Sequence, residues 1–393
     1  MNVPILEVPV IDLDALHGHR VRRLCAQMAA YHVDAMVLTN PVSLRYAADW
    51  REYALFQAHI PTYYLVVTAD GRLTMFGAYR QQHPTIHDFR AAHHPNVFDS
   101  GLDTLTSATG FAADIEGVVG ARARIALDRV NPSCVQALDA IGYDVIDVEP
   151  LVEQARAIKS EEELTCIRRA ITVAQAAIAT MRESAVPGAC EDELMAILHQ
   201  VNIANGGDWI DGRMLCSGPR TNPWYQEASA RRLENGDLLA FDTDMIGPNG
   251  YCADISRTWL VGHDNPTPAQ RDRYLRAHAE IDHNAALLHS GTTFRELSDS
   301  AFRQPAEFIS NRYACIAHGV GMSDEWPRVY YRQDWDAHGY DGVIEPNMVL
   351  SVESFVGSDQ GGPGVKLEQM YLVTNNGPQP LSTYPYESSL LDQ

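Results

Sequence analysis

Acidic side chains recur inside short apolar segments that would otherwise read as core strands, and this limits what the C-terminal half of the chain can be. In FDTDMIGPNGYCADISRT, Asp242 and Asp244 are two apart, so on a strand they face one side. Asp254 follows the turn signal Pro248-Asn249-Gly250, and a hairpin can bring the three carboxylates together. Glu353 in VLSVESF and Glu368 in VKLEQMYLV are embedded in the same way, and His318 sits in IAHGVGM between small residues that allow close backbone approach. A single acid in a strand is usually exposed or paired with Arg, and a single buried His is usually a satisfied core residue. Five acids and one His on separate apolar segments do not fit that reading. Buried carboxylates at this density repel and need a cation. Carboxylate-rich ligation with one imidazole suits divalent Mn, Fe, Co or Zn. Carboxylates able to bridge suit a pair of ions about 3.5–4 Å apart.

The rest of the chain supplies the setting. Its 393 residues suffice for two or three domains with real cores. Residues 19–32 have helical apolar spacing, and DAMVLTN, ARIALD and YDVIDV read as strands. YYLVVTADGRLTMF reads as two strands around Ala69-Asp70-Gly71. Such alternation predicts an α/β N-terminal domain over residues 1–155. Ser160 and Glu163 then form a capping box that opens a long amphipathic helix, so a second domain spans 156–393. Its short β-rich segments predict a twisted antiparallel sheet, with helices near 267–289 and 294–310. Asp plus Glu is 51 against 30 Lys plus Arg, a formal charge of −21, which disfavours nucleic acid and anionic membranes. Seven Cys without a C-x-x-C pair point to a reducing compartment. With no signal-like N-terminus and no apolar run near the roughly 18 residues of a membrane span, the expected location is cytoplasmic.

These residues resemble the pita-bread metalloenzymes: methionine and proline aminopeptidases, prolidase and creatinase. The order Asp, Asp, His, Glu, Glu and the strings GYCADISRT, AHGVG, MVLSVE and GVKLE carry the likeness. KSEEELTCIRRA and RIALDRVNP are similar to the two-domain, creatinase-type branch. The resemblance implies an α+β fold, with a C-terminal pita-bread domain after a smaller α/β domain. It also implies two divalent transition-metal ions on Asp242, Asp244, Asp254, His318, Glu353 and Glu368, and a homodimer in which the N-terminal domain helps close the active site.

Departures from the peptidases narrow the expected chemistry. The second His they carry seven residues after the metal His is missing; Asp324 and Glu325 occupy its neighbourhood. Their upstream substrate His is replaced by Trp224 and Tyr225. The spacing Asp242-x-Asp244 and then ten to Asp254 differs from their usual eleven. These features, with HGVGMSDEWP and NPVSLRYAADW, resemble the pita-bread dimethylsulfoniopropionate lyases. That likeness implies iron, Asp324 as base, and Tyr313 and Trp50 as sulfonium-holding aromatics. β-Elimination needs a base for the α-proton, which either Asp324 or Glu325 can supply. A sulfonium favours aromatic faces, and Trp50, Tyr53, Phe56, Trp224, Tyr225, Tyr313 and Trp326 lie near the motifs. The expected substrate is therefore a small zwitterion. The alternative is a C–N hydrolase of the same fold, either Xaa-Pro dipeptidase-like or acting on a zwitterion such as ectoine. A non-catalytic binding module fits less well, because every metal ligand is retained.

Overall fold

The computed structural model describes residues 4–78, 83–263 and 265–391. The chain divides into two compact units, one of them Asp12–Arg156. Residues 4–11 go with the larger C-terminal unit, not with the N-terminal one. Leu6 N donates to Asn205 Oδ1 at 2.9 Å and Asn205 Nδ2 to Pro4 O at 2.9 Å, which ties this strap to the C-terminal unit.

The N-terminal unit is a six-stranded mixed sheet. The predicted hairpin is present as antiparallel Tyr64–Thr68 and Leu73–Phe76, and Ala35–Leu38 pairs antiparallel to the first and parallel to Arg124–Leu127. Asp144–Asp147 extends the parallel side. Helices Thr104–Val119 and Pro132–Ala140 cover one face, burying Phe111, Ile115 and Leu138 against Val37, Tyr64 and Ile125. The helix Leu13–Tyr31 is capped by Asp12, whose side chain accepts from Ala15 N.

The C-terminal unit begins with the helix Glu161–Ser184, closed by the Ser160–Glu163 capping box. Two three-stranded antiparallel sheets follow, Leu215–Ser217, Leu238–Phe241 and Arg257–Leu260 in one, Trp209–Ile210, Met245–Ile246 and Cys252–Ala253 in the other. A five-stranded antiparallel sheet completes it, centred on Val349–Gly357 and Gly364–Thr374. All nine residues of Val349–Gly357 are buried: helix Pro268–Ala285 packs against one face of this sheet, and on the other Phe355 packs with Trp224, Cys216 and Ala240. The second predicted helix is interrupted: Phe294–Ser300 ends at Ala301, and after Pro305 a separate turn, Ala306–Ile309, begins. No helix among the described residues is long and apolar enough to cross a membrane.

Candidate active site

The acids expected on one face of a strand arrive by another route. The strand Leu238–Phe241 ends before Asp242, and residues 242–244 form a connector leading into the other small sheet. Asp244 adopts φ 35°, a left-handed backbone rare outside glycine, so simple alternation does not describe this pair. Asp254 lies on the returning connector, between Cys252–Ala253 and Arg257–Leu260. Thr243 ties the two connectors: its Oγ1 donates to Ala253 O at 2.7 Å and accepts from Ile255 N at 2.9 Å. Glu353 and Glu368 are register partners on adjacent strands, so their side chains share a face.

His318 joins them. Its Nε2 lies 3.5 Å from Asp254 Oδ2, 3.3 Å from Glu353 Oε1 and 3.6 Å from Glu368 Oε1. Three groups of donor atoms fall within 4.8 Å of one another: Asp242, Asp254 and Glu368; His318, Glu353 and Glu368; and Asp254, His318 and Asp324. Five of the six expected ligands are thus brought together. Asp244 contributes no atom to these groups, although its charge is felt at Asp254. Its Oδ2 lies against Gly212, where a Cβ would approach to 2.3 Å, so glycine is what leaves room for this carboxylate.

The electrostatics identify what the centre accepts. Burial, then the neighbouring Glu368 charge, pushes Asp242 up to about 7 and Asp254 well above the ordinary carboxylate range. Asp244 is raised by burial and by Asp242. Burial acts on Glu368 in the same direction, but Lys366 and His318 prevail and hold it well below the usual value. Asp254 Oδ1 is buried and meets no hydrogen-bond partner among the described residues. Hard oxygen donors with one imidazole, crowded past what they can ionise alone and with an orphaned oxygen, fit divalent cations.

Lys366 is the residue sequence reasoning missed. Its Nζ lies 2.6 Å from Glu353 Oε2, 3.0 Å from Asp242 Oδ2, 3.0 Å from Glu368 Oε2 and 2.7 Å from Ser256 Oγ. The signal was available: Lys366 stands two before Glu368 in the apolar strand GVKLE, and so shares its face. This ammonium also lies 4.6 Å from the Tyr313 ring centre and 5.7 Å from that of Trp224. The Tyr225 ring centre lies 5.6 Å from that of Tyr313, tilted by 32°, and Tyr225 is 56% exposed. Tyr313, Trp224 and Tyr225 therefore form an aromatic wall beside the acids.

Two expected site residues are placed elsewhere. Glu325 is buried; its Oε2 accepts from Lys159 Nζ at 3.0 Å and its Oε1 from Met322 N at 2.8 Å. That ion pair holds it in the interior, and of the two acids it is Asp324 that approaches the centre, its Oδ1 3.9 Å from His318 Nδ1. Trp50 is 3% exposed within the N-terminal unit, packed on Tyr63, His83 and Phe89 with ring centres 5.0, 5.8 and 5.9 Å away. Its faces are occupied by core aromatics of its own unit.

Fold and site together define a two-domain metalloenzyme whose centre is built of carboxylates and one imidazole. The chain belongs to metallopeptidase family M24, which it matches over residues 165–375, and a creatinase/prolidase N-terminal domain matches residues 20–158. It is 35% identical to a dimethylsulfoniopropionate lyase of Roseovarius nubinhibens, covering 97% of this chain and 88% of the relative. A dimethylsulfoniopropionate lyase of Roseobacter denitrificans is 33% identical, over 98% of this chain and 89% of the relative. An Xaa-Pro dipeptidase of Pyrococcus horikoshii is 30% identical over 60% of this chain and 65% of its own length. Among solved structures, an Xaa-Pro dipeptidase from Bacillus anthracis superposes with TM-score 0.75 at 22% identity, over 94% of this chain and 99% of the other, a likeness of fold.

Proposed function

We propose that this protein is a metal-dependent lyase that cleaves dimethylsulfoniopropionate to dimethyl sulfide and acrylate by base-assisted β-elimination. The observation that carries it is the position of Asp324. Its carboxylate is 59% exposed and stands beside His318 at the edge of the acidic centre, which supports its use as the proton acceptor. The lyase relatives match this chain over nearly its whole length, whereas the dipeptidase relative covers 60% of it.

Asp242, Asp244, Asp254, His318, Glu353 and Glu368 would hold two divalent ions, with iron favoured and Mn, Zn or Co compatible with the donors. Such ions, when bound, supply Lewis-acid polarisation of the substrate carboxylate, which acidifies the adjacent C–H. Asp324 takes the α-proton, the C–H electron pair becomes the C=C bond of acrylate, and the C–S pair leaves on sulfur as dimethyl sulfide. A sulfonium departs without protonation, so no general acid is needed. Tyr313, Trp224 and Tyr225 offer aromatic faces beside the acids, each worth about 0.5–2 kcal/mol to a sulfonium. A homodimer follows the creatinase-type layout, and the seven unpaired Cys support a cytoplasmic location.

The deciding assay supplies purified protein with dimethylsulfoniopropionate and measures headspace dimethyl sulfide by gas chromatography, beside a panel of Xaa-Pro dipeptides. Dimethyl sulfide release without dipeptide cleavage is expected. Dipeptide cleavage alone would establish the hydrolase instead.

A further inference from the structure

We infer that Glu191, which lies outside the acidic centre, is a positioning residue that holds the segment carrying Trp224 and Tyr225 against the site. This rests on the reading of those two residues as substrate-facing. Glu191 is the first residue of helix Glu191–Ala204 and is fully buried. Its two carboxylate oxygens serve opposite ends of one loop. Oε1 accepts from Ser217 N at 2.8 Å and Ser217 Oγ at 2.6 Å. Oε2 accepts from Ser229 N at 3.1 Å, from Ser229 Oγ at 2.6 Å and from Arg220 Nη1. The helix N-terminus adds to this, Glu191 N donating to Arg231 O at 3.0 Å and Asp192 N to Ser229 O at 3.1 Å.

Between those two serines the chain runs out to the aromatic wall and back. Tyr225 sits at φ 68°, a left-handed conformation that a bulky residue keeps only when its surroundings impose it. The middle of the loop is tied separately, Asn222 Nδ2 donating to Ser358 O at 2.9 Å and Gly364 N to Thr221 Oγ1 at 3.0 Å. A carboxylate is the group that can do what Glu191 does. It accepts on both oxygens at once, whereas an amide accepts on one and turns its NH₂ toward donors at the other. Loss of that charge therefore frees one end of the loop, and the cost falls on substrate binding, since Asp324, His318, Glu353 and Glu368 stand on the separate five-stranded sheet and Asp242 keeps its own tie, Asp242 N donating to Met214 O at 2.9 Å.

The test compares full-length native protein with Glu191→Gln, Glu191→Ala and the double variant Ser217→Ala/Ser229→Ala. The Ala variants cover the case in which the amide misfolds. Hydrogen exchange of the segment 215–232 should rise by about tenfold or more in Glu191→Ala and less in Glu191→Gln, as charged hydrogen bonds are lost. KM for dimethylsulfoniopropionate should rise by about tenfold, with kcat within about threefold and metal content by elemental analysis unchanged. Unchanged exchange in Glu191→Ala overturns the anchor. Faster exchange with native KM overturns the positioning role, as does a kcat that falls in step with metal content. The exchange measurement needs no substrate, so a native enzyme that releases no dimethyl sulfide would sink the lyase reading while exchange alone still judged the anchor.

Discussion

Asp324 and Glu325 are adjacent in the chain, yet their carboxylates enter opposite environments. Asp324 is 59% exposed on its side chain and stands 3.9 Å from His318, whereas the Glu325 side chain is fully buried, 3.0 Å from Lys159. One strand thus presents an exposed carboxylate to the centre and an ion-paired one to the interior.

Asp324→Asn keeps shape and volume but cannot accept a proton. A general base typically contributes about 10²–10⁴-fold, so kcat should fall by that order. KM and metal content should change little. Substrate deuterated at the α-carbon should show a primary isotope effect with the native enzyme if proton removal limits the rate. Native-like turnover by the Asn variant would overturn the role given to Asp324.

Glu325→Gln should act on stability instead. Removing one partner of a buried ion pair leaves Lys159 uncompensated, a loss of about 3–5 kcal/mol. Denaturant unfolding should show that loss, while the folded fraction keeps native kcat. A stable but inactive Gln variant would return Glu325 to the chemistry.

Chelation should abolish activity, and readdition of ferrous iron, Mn, Co or Zn should restore it to differing degrees. His318→Ala should be inactive yet folded, because the N-terminal unit and the outer helices do not depend on the site. Elemental analysis near zero metal per native chain would contradict the proposed centre.

Gly212→Ala tests Asp244, the expected ligand that the donor groups leave out. A Cβ at residue 212 would lie 2.3 Å from Asp244 Oδ2, so the carboxylate must move. If Asp244 serves the metals, Gly212→Ala and Asp244→Asn should both lower metal occupancy in a titration followed by calorimetry. Native occupancy in both would remove Asp244 from the ligand set.

Light scattering at micromolar concentration should give about twice the 43.5 kDa of one chain, as the proposed homodimer requires. A mass of one chain would refute it.

Much of the site was legible because it rests on local chemistry. An acid in an apolar strand is costly wherever that strand packs, so Asp242, Asp254, Glu353 and Glu368 stood out before any fold was known. The capping box at Ser160 and the hairpin across Asp70 were equally local, each set by residues a few positions apart.

Other features depended on which faces meet. Strand alternation puts Asp324 and Glu325 on opposite sides but cannot say which side holds the metal ligands; packing against Lys159, 166 residues away in sequence, decides that. It is also packing that carries Lys366 to Asp242, 124 residues away, and that encloses Trp50 among Tyr63, His83 and Phe89. Asp242 meets the centre from a connector between two sheets, where a φ of 35° at Asp244 overrides the period of a strand and leaves Asp244 outside the donor groups. The sequence by itself determined which side chains would demand a cation, since that follows from burying charge. Only the tertiary structure decided which neighbours answer that demand, because contacts between distant segments follow from how the sheets pack.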